Sequence, residues 1–479
     1  MSATGAEQLI LAIDVGTLSV RAVAYDRQGR EQAFADRPVA LNALSATHIE
    51  QDPLQMTTAL QAVIGEVLAA PVVADRGVAA AGLACQRSSV VAWERGSDTP
   101  LSPVLSWQDR RGADYLVPLA AHSATIKSHS GLFLSPHYGA SKLRWLLDHN
   151  AGVAAARRSK RLVMGPLAAF IITALVEGHP GIVDHVNASR TQLLDLQERS
   201  WSPELLQLFG LSADLLPACQ PTQSAYGLLR GTTIPLQAVN GDQNAAIHGT
   251  GRLDDGTLIV NLGTGAFVLL PTGSEPIHHP RLLTSLANST SDGANYLLEG
   301  TVNGAGAAFS WAGEQWGERD LAHRLDEWLV EVAEPPVFVN AVGGLGSPLW
   351  NGTLQPHFLA EGTLAQKTVA IAESIVFLIK INLEAMTNTG QNVKRIRVSG
   401  GLSGSSALCQ LLADATERVV VRPEVKQATA LGIARLAARG QAPSVRTDTS
   451  GMEGDYFLPR ANRGLQARFR LLCSELGWR

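Results

Sequence analysis

The chain has 479 residues, a formal charge of −4 and four cysteines. The length exceeds one ordinary core and predicts two large domains. The apolar content excludes a disordered chain, and the acidic balance argues against nucleic acid, which needs a basic face.

LILAIDVGT (9–17) reads as a buried strand ending in a glycine turn, VRAVAYD (20–26) as a second strand and EQAFADRPVA as a third, together an antiparallel meander. Asp52-Pro53 supplies an N-cap and first-turn proline for a helix over LQMTTALQAVIGEVL. GVAAAGLAC (77–85) and VVAWER (90–95) are further strands. LVMGPLAAFIITALV follows RRSKR. At about fifteen residues it is short of the ~20 that a membrane span needs, so it predicts a core helix with Pro166 in its first turn and no membrane association.

GTLIVNLGTGAFVLLPTG (256–273) repeats the strand–glycine-turn–strand grammar. NYLLEGTV (295–302) is a strand, residues 367–386 a long helix, and RIRVSGGLSGSSALCQLLADAT (395–416) a strand, glycine turn and helix. ATALGIARLAARG (428–440) reads as the final helix, capped by Gly440, and the tail beyond it as turn-rich chain wrapping over the surface. The two halves share their organisation, with a boundary near 245–255 and domains expected at 1–247 and 248–479.

Three stretches carry chemistry. In DVGTLSVR (14–21) a strand delivers Asp14 to a tight turn. Gly16 lets backbone approach an anion, Thr17 and Ser19 add hydroxyls, and Arg21 a charge. A carboxylate at a phosphate site makes sense if it holds a cation. NLGTGAF (261–267) offers a second nest of N–H groups at Gly263, Thr264 and Gly265. VSGGLSGSSALC places Gly400, Gly401 and Ser405 between a strand and a helix N-terminus, where an anion or nucleoside can lie close to backbone. Each alone is equally an ordinary hairpin or turn. Two hairpins in corresponding places could clamp one polyphosphate. Asp242, in AVNGDQNAAIHGTG, either caps the Ala-rich helix after it or acts as a base.

In this order, with HIEQDP (48–53), CQRSSVVAW (85–93), VLSWQDRR (104–111), GLFLSPHYGASKLRWLLD (131–148), DHVNASRTQLLDL (184–196), GGLGSPLW (343–350) and RPEVKQATALG (422–432), these stretches resemble the FGGY carbohydrate kinases, and within them the glycerol kinases. The resemblance covers almost the whole chain. It implies an α/β protein of two actin-like, ribonuclease-H-type domains of the sugar kinase superfamily, with ATP and Mg²⁺ in an interdomain cleft. Asp242 is then the general base, and Asp14 positions Mg²⁺ through water. Arg87, Trp107 and Phe267 match the pocket that holds acceptor hydroxyls and walls the C–H face of a polyol. Trp107 alone would read as core packing.

The match has departures. Ser88 stands where glycerol kinases carry a glutamate, and His137 where they carry a tyrosine, with Tyr138 one place along. Ser88 leaves room and removes an acceptor, which implies a longer polyol or a ketose in place of glycerol. His137 either donates to a substrate hydroxyl or packs. On the nucleotide side Leu18 replaces a threonine, Ser310 a glutamine and Ser405 an asparagine. The turn that binds an allosteric sugar bisphosphate in some glycerol kinases reads RGTT (230–233), with Ile234 in place of its arginine.

Cys85, Cys219, Cys409 and Cys473 lack metal or redox spacing, so free, mostly buried thiols are expected. MSATGAEQ has no secretory leader pattern, which predicts a cytoplasmic protein. His278-His279 is expected to be a solvated turn, and Asp109 and Arg110 a structural salt bridge. The sequence therefore predicts an ATP-dependent kinase for a small polyol or sugar, with a homodimer among the assemblies open to it. A rival is a non-catalytic nucleotide or sugar sensor on the same fold. A nicotinamide dehydrogenase is excluded by the absence of G-x-G-x-x-G with its downstream acid.

Overall fold

The computed structural model describes residues 8–253, 256–438 and 454–478. They form two compact units. The first takes described residues within Met1–Arg252, Ser285–Tyr296 and Val425–Thr449, the second those within Leu253–Thr284, Leu297–Glu424 and Ser450–Arg479. The units are therefore not two uninterrupted stretches, and the helix Asp242–Thr250 runs across the expected 247/248 boundary.

In the first unit, Leu9–Val15 lies at the centre of a six-stranded sheet. It pairs antiparallel with Ser19–Tyr25, which pairs with Glu31–Pro38 to complete the meander. On its other side it pairs parallel with Val78–Cys85, which pairs parallel with Pro235–Gly241; Gln223–Leu228 closes that edge antiparallel. Side chains alternate along the central strand. Leu9, Leu11, Ile13 and Val15 join a core with the helices Pro53–Ala69 and Leu167–Leu175, while Ile10 and Ala12 face Ala430, Ile433 and Ala434 of Ala428–Ala438. Asp52 caps its helix as expected, accepting from Leu54 N at 2.8 Å. Val90–Glu94 lies in a separate five-stranded sheet.

The second unit's seven-stranded sheet repeats this plan. Thr257–Leu262 pairs antiparallel with Ala266–Gly273 and parallel with Arg395–Ser399, which pairs parallel with Val419–Pro423; Gly454–Phe457 closes the edge antiparallel. The long helix is Leu364–Thr387, started by a Thr363–Gln366 capping box and buried along most of its length.

Three expectations need correction. Residues 162–166 of the apolar run are a strand, paired with Val90–Glu94, and only Leu167–Leu175 is helical. Pro166 ends that strand because its fixed φ suits extended backbone, and it precedes the helix instead of opening it. The tail does not merely wrap: Gly454–Phe457 adds a strand, and Arg463–Leu476 is a further helix burying Leu465, Phe469 and Leu472. Ala428–Ala438 is therefore not the final helix, and its expected cap, Gly440, lies outside the described residues. Among the described residues no helix is long and apolar enough to cross a membrane.

Candidate active site

Parallel strands place the loops that follow them on one edge of a sheet. In the first unit, Asp14 and Asn240 are both level with Ala84, and Val15 and Gly241 both level with Cys85. Asp14, Gln86-Arg87 and Asp242 thus emerge side by side at the C-terminal ends of three adjacent strands.

Gly16 N–H donates to the Ser19 carbonyl at 3.0 Å, closing the turn after Asp14. Arg21, opposite Asp14 in the hairpin, reaches its carboxylate at 3.5 Å, Ser19 Oγ at 3.1 Å and Gln427 at 3.3 Å. Thr17 Oγ1 accepts from the Trp107 indole at 3.0 Å and donates to Gln86 at 3.4 Å, so this hydroxyl already links turn and pocket. Leu18 is 65% exposed at the turn.

Asp242 is the first residue of its helix, and the cap position is Gly241, which has no side chain. The carboxylate accepts the N–H of Gln243 at 2.7 Å. Burial raises its pKa, opposed by Arg87 and Arg190. Asp14 is 5% exposed, and burial together with the Asp242 charge pushes it up to about 7 against Arg21. Burial and the Asp242 charge both disfavour a lone negative charge on Asp14, so a cation beside it is favoured and the residues fit Mg²⁺.

Arg87 is buried and donates to Asn244 at 3.0 Å and to Gln243. Ser88 follows in a left-handed conformation at φ 65°, 4% exposed, with its hydroxyl lacking a hydrogen-bond partner among the described residues. The Trp107 ring lies 5.7 Å from that of His137, which lies 5.0 Å from Tyr138. Burial and the cations Lys142, Arg190, Arg110 and Arg87 hold His137 well below its ordinary pKa, so the imidazole is neutral at pH 7. Arg87, Ser88, Trp107 and His137 are all in this unit. Sequence reasoning missed Arg190, buried and stacked on Tyr138 at 5.3 Å. Its only sequence signal was its place in DHVNASRTQLLDL.

Asp109 pairs with Arg111 at 2.8 Å, whereas Arg110 donates to the carbonyls of Trp107 and Asp109. The expected Asp109–Arg110 carboxylate pair is thus corrected: alternate residues share a side in this turn. Arg230 of RGTT is paired with Asp98 at 3.2 Å, and Ile234 is buried.

In the second unit, Gly263 N–H donates to the Gly265 carbonyl at 2.9 Å, and the turn packs on the start of the helix Gly306–Trp316. Thr264 is exposed and Phe267 half-buried. Gly400 has φ 93°, and a Cβ there would lie 2.6 Å from the Leu262 carbonyl oxygen, so a side chain is excluded. Gly401 starts the short turn after it. A cavity of about 560 Å³ is lined by Gly306, Phe309, Ser310, Gly313 and Leu402, among others. Ser405 points elsewhere: its hydroxyl caps Ser406–Thr416 and donates to Asp326. His279 Nδ1 accepts the N–H of Arg281 at 3.1 Å, and no cluster of metal-ligand type exists among the described residues.

Two sheets of one plan, each carrying a glycine turn after its central strand, fit a phosphotransferase. The chain belongs to the FGGY family of carbohydrate kinases: the model for the family's N-terminal domain matches residues 9–249 and that for its C-terminal domain residues 258–440. It is similar to a glycerol kinase of Chromobacterium violaceum, with 30% identity over 98% of this chain and 97% of the relative. A glycerol kinase of Parabacteroides distasonis is 33% identical over 89% and 88%. Among solved structures, Plasmodium falciparum glycerol kinase with ADP superposes at TM-score 0.90, 23% identity, covering 99% of this chain and 98% of that one. Xylulose kinase from Rhodospirillum rubrum gives 0.88 at 20%, covering 98% of each. These neighbours share the sugar-kinase, actin-like fold.

Proposed function

We propose that this chain transfers the γ-phosphoryl group of ATP to a primary hydroxyl of a small polyol or sugar, with ADP as leaving group. In the first unit, Arg87, Ser88, Trp107 and His137 bind the acceptor, and Asp242 takes the hydroxyl proton as the oxygen attacks phosphorus. Gly16, Thr17, Ser19 and Arg21 form a phosphate turn. Asp14 would hold Mg²⁺, which would supply neutralisation of charge on the phosphates. In the second unit, Gly263, Thr264 and Gly265 offer N–H groups to phosphate, Gly400 and Gly401 keep backbone open to the nucleoside, and Ser310 borders the adenosine cavity. The hydroxyl of Ser405 is engaged with Asp326, so Ser405 borders the nucleoside without donating its hydroxyl to it. Cytoplasmic action is part of the proposal, supported by four free thiols.

The observation that carries this reading is the alignment of Asp14, Arg87 and Asp242 at the ends of adjacent parallel strands. The unpartnered hydroxyl of Ser88 supports an acceptor longer than glycerol. A buried hydroxyl without a partner costs ~1–3 kcal/mol, recovered when a ligand pairs with it. ADP release measured with glycerol, erythritol, xylitol and D-xylulose tests the proposal. Turnover on a five-carbon acceptor above that on glycerol is expected. ATP binding with no turnover on any acceptor would instead favour the sensor.

A further inference from the structure

Lys142 is 0% exposed, in the second turn of the helix Gly139–His149. Its Nζ donates to the carbonyls of Ser88 at 2.8 Å, Ser106 at 2.9 Å and His137 at 2.9 Å. These carbonyls come from three separate segments. One carries Arg87 and Ser88, one precedes Trp107, and one carries His137. Each therefore bears a side chain of the proposed acceptor pocket.

An ammonium has three N–H donors, and all three are used here. A glutamine amide would supply two and a hydroxyl one, and a guanidinium spreads its five donors over three nitrogens in one plane, so three carbonyls converging on a single nitrogen suit a lysine. Burying a charge without a carboxylate partner is costly. Three charge-assisted bonds offset that cost, and they are shorter and stronger than neutral ones. Burial pulls the Lys142 pKa well below its ordinary value. The three carbonyls oppose this, because a neutral amine would turn its lone pair toward one of them. Ser88 also holds a strained φ of 65°, which persists only where surrounding contacts fix it, and its carbonyl is one of the three.

We propose that Lys142 is a positioning residue for the acceptor: its ammonium ties the Arg87-Ser88, Ser106-Trp107 and His137 segments into one pocket of fixed width. The inference rests on the acceptor-pocket reading above. Lys142 touches no reacting atom in this scheme. It acts through the backbone of the residues that do.

Steady-state kinetics of the full chain with the fastest acceptor of the polyol and ketose panel test it. Lys142→Met should raise acceptor KM at least ~10-fold, with ATP KM within about twofold of the parent, since misplacing pocket groups weakens acceptor binding. Lys142→Gln, which keeps two donors, should fall between. A lower melting temperature or lower kcat with unchanged acceptor KM would mark a merely structural lysine and overturn the proposal. So would failure of both variants to fold. Trp107→Ala is the separate arm. If it leaves acceptor KM unchanged, the pocket reading itself fails. If it raises acceptor KM and Lys142→Met does not, only the role of Lys142 falls.

Discussion

Gly432 lies against the carbonyl oxygen of Ala245 so closely that a Cβ on it would be 1.8 Å away. Gly249 meets Ala428 in the same way, also at 1.8 Å. The helices Asp242–Thr250 and Ala428–Ala438 therefore cross backbone to backbone, and Arg435 donates to the carbonyls of His248 and Gly249 at 2.8 Å each. Asp242 opens the first of these helices, so the crossing sets where its carboxylate stands.

Gly432→Ala should force the helices apart and displace Asp242. Overpacking of this kind costs about 1–3 kcal/mol, and a misplaced base should lower kcat by roughly 10- to 100-fold. A thermal melt beside steady-state kinetics checks both. A stable variant with parental kcat would separate the crossing from the position of the base.

The pH profile should respond to Arg190. Burial raises the Asp242 pKa, while Arg87 and Arg190 lower it. The base must be ionised, so turnover falls as pH drops through this pKa. Arg190→Met removes a lowering charge, and the acid limb of kcat should move to higher pH. An unmoved limb would mean that Arg190 does not act on the group that titrates.

Asp14, pushed up to about 7, must lose its proton to hold a cation. The Mg²⁺ concentration giving half-maximal rate should therefore rise as pH falls below about 7, approaching tenfold per unit where a proton competes with the cation. Asp14→Asn should show weak Mg²⁺ dependence without that slope, as should direct Mn²⁺ binding followed by electron paramagnetic resonance.

Ser88→Ala removes a buried hydroxyl that has no partner among the described residues. Stability should stay level or rise, since deleting an unsatisfied group removes its desolvation cost of about 1–3 kcal/mol. Acceptor KM should nonetheless rise, by up to about tenfold, if a substrate hydroxyl supplies the missing partner. Calorimetry and kinetics on one preparation read the two effects separately.

Sequence legibility followed range. The glycine turns at 16, 263 and 400, the Asp52 cap and the alternating strand after Leu9 are local patterns, and they appear where the residues predict them. Family resemblance added Asp242 and the acceptor residues, which local pattern alone left ambiguous. Contacts across long separations were invisible. No period in the chain announces that Gly432 meets Ala245 or that Lys142 reaches Ser88, Ser106 and His137. The helix Arg463–Leu476 escaped because arginines dilute its apolar stripe to Leu465, Phe469 and Leu472. Residues 162–166 form a strand where the sequence predicts a helix, since a continuous apolar run fits a buried strand and a buried helix equally.

Everything turns on the carboxylate at 242. The measurement that tests it most directly is kcat of Asp242→Asn at saturating ATP and acceptor, with ATP affinity determined on the same protein. Loss of at least ~100-fold in kcat with ATP still bound is the predicted result. Turnover within a few-fold of the parent would contradict it, and the proton would have to leave by another group.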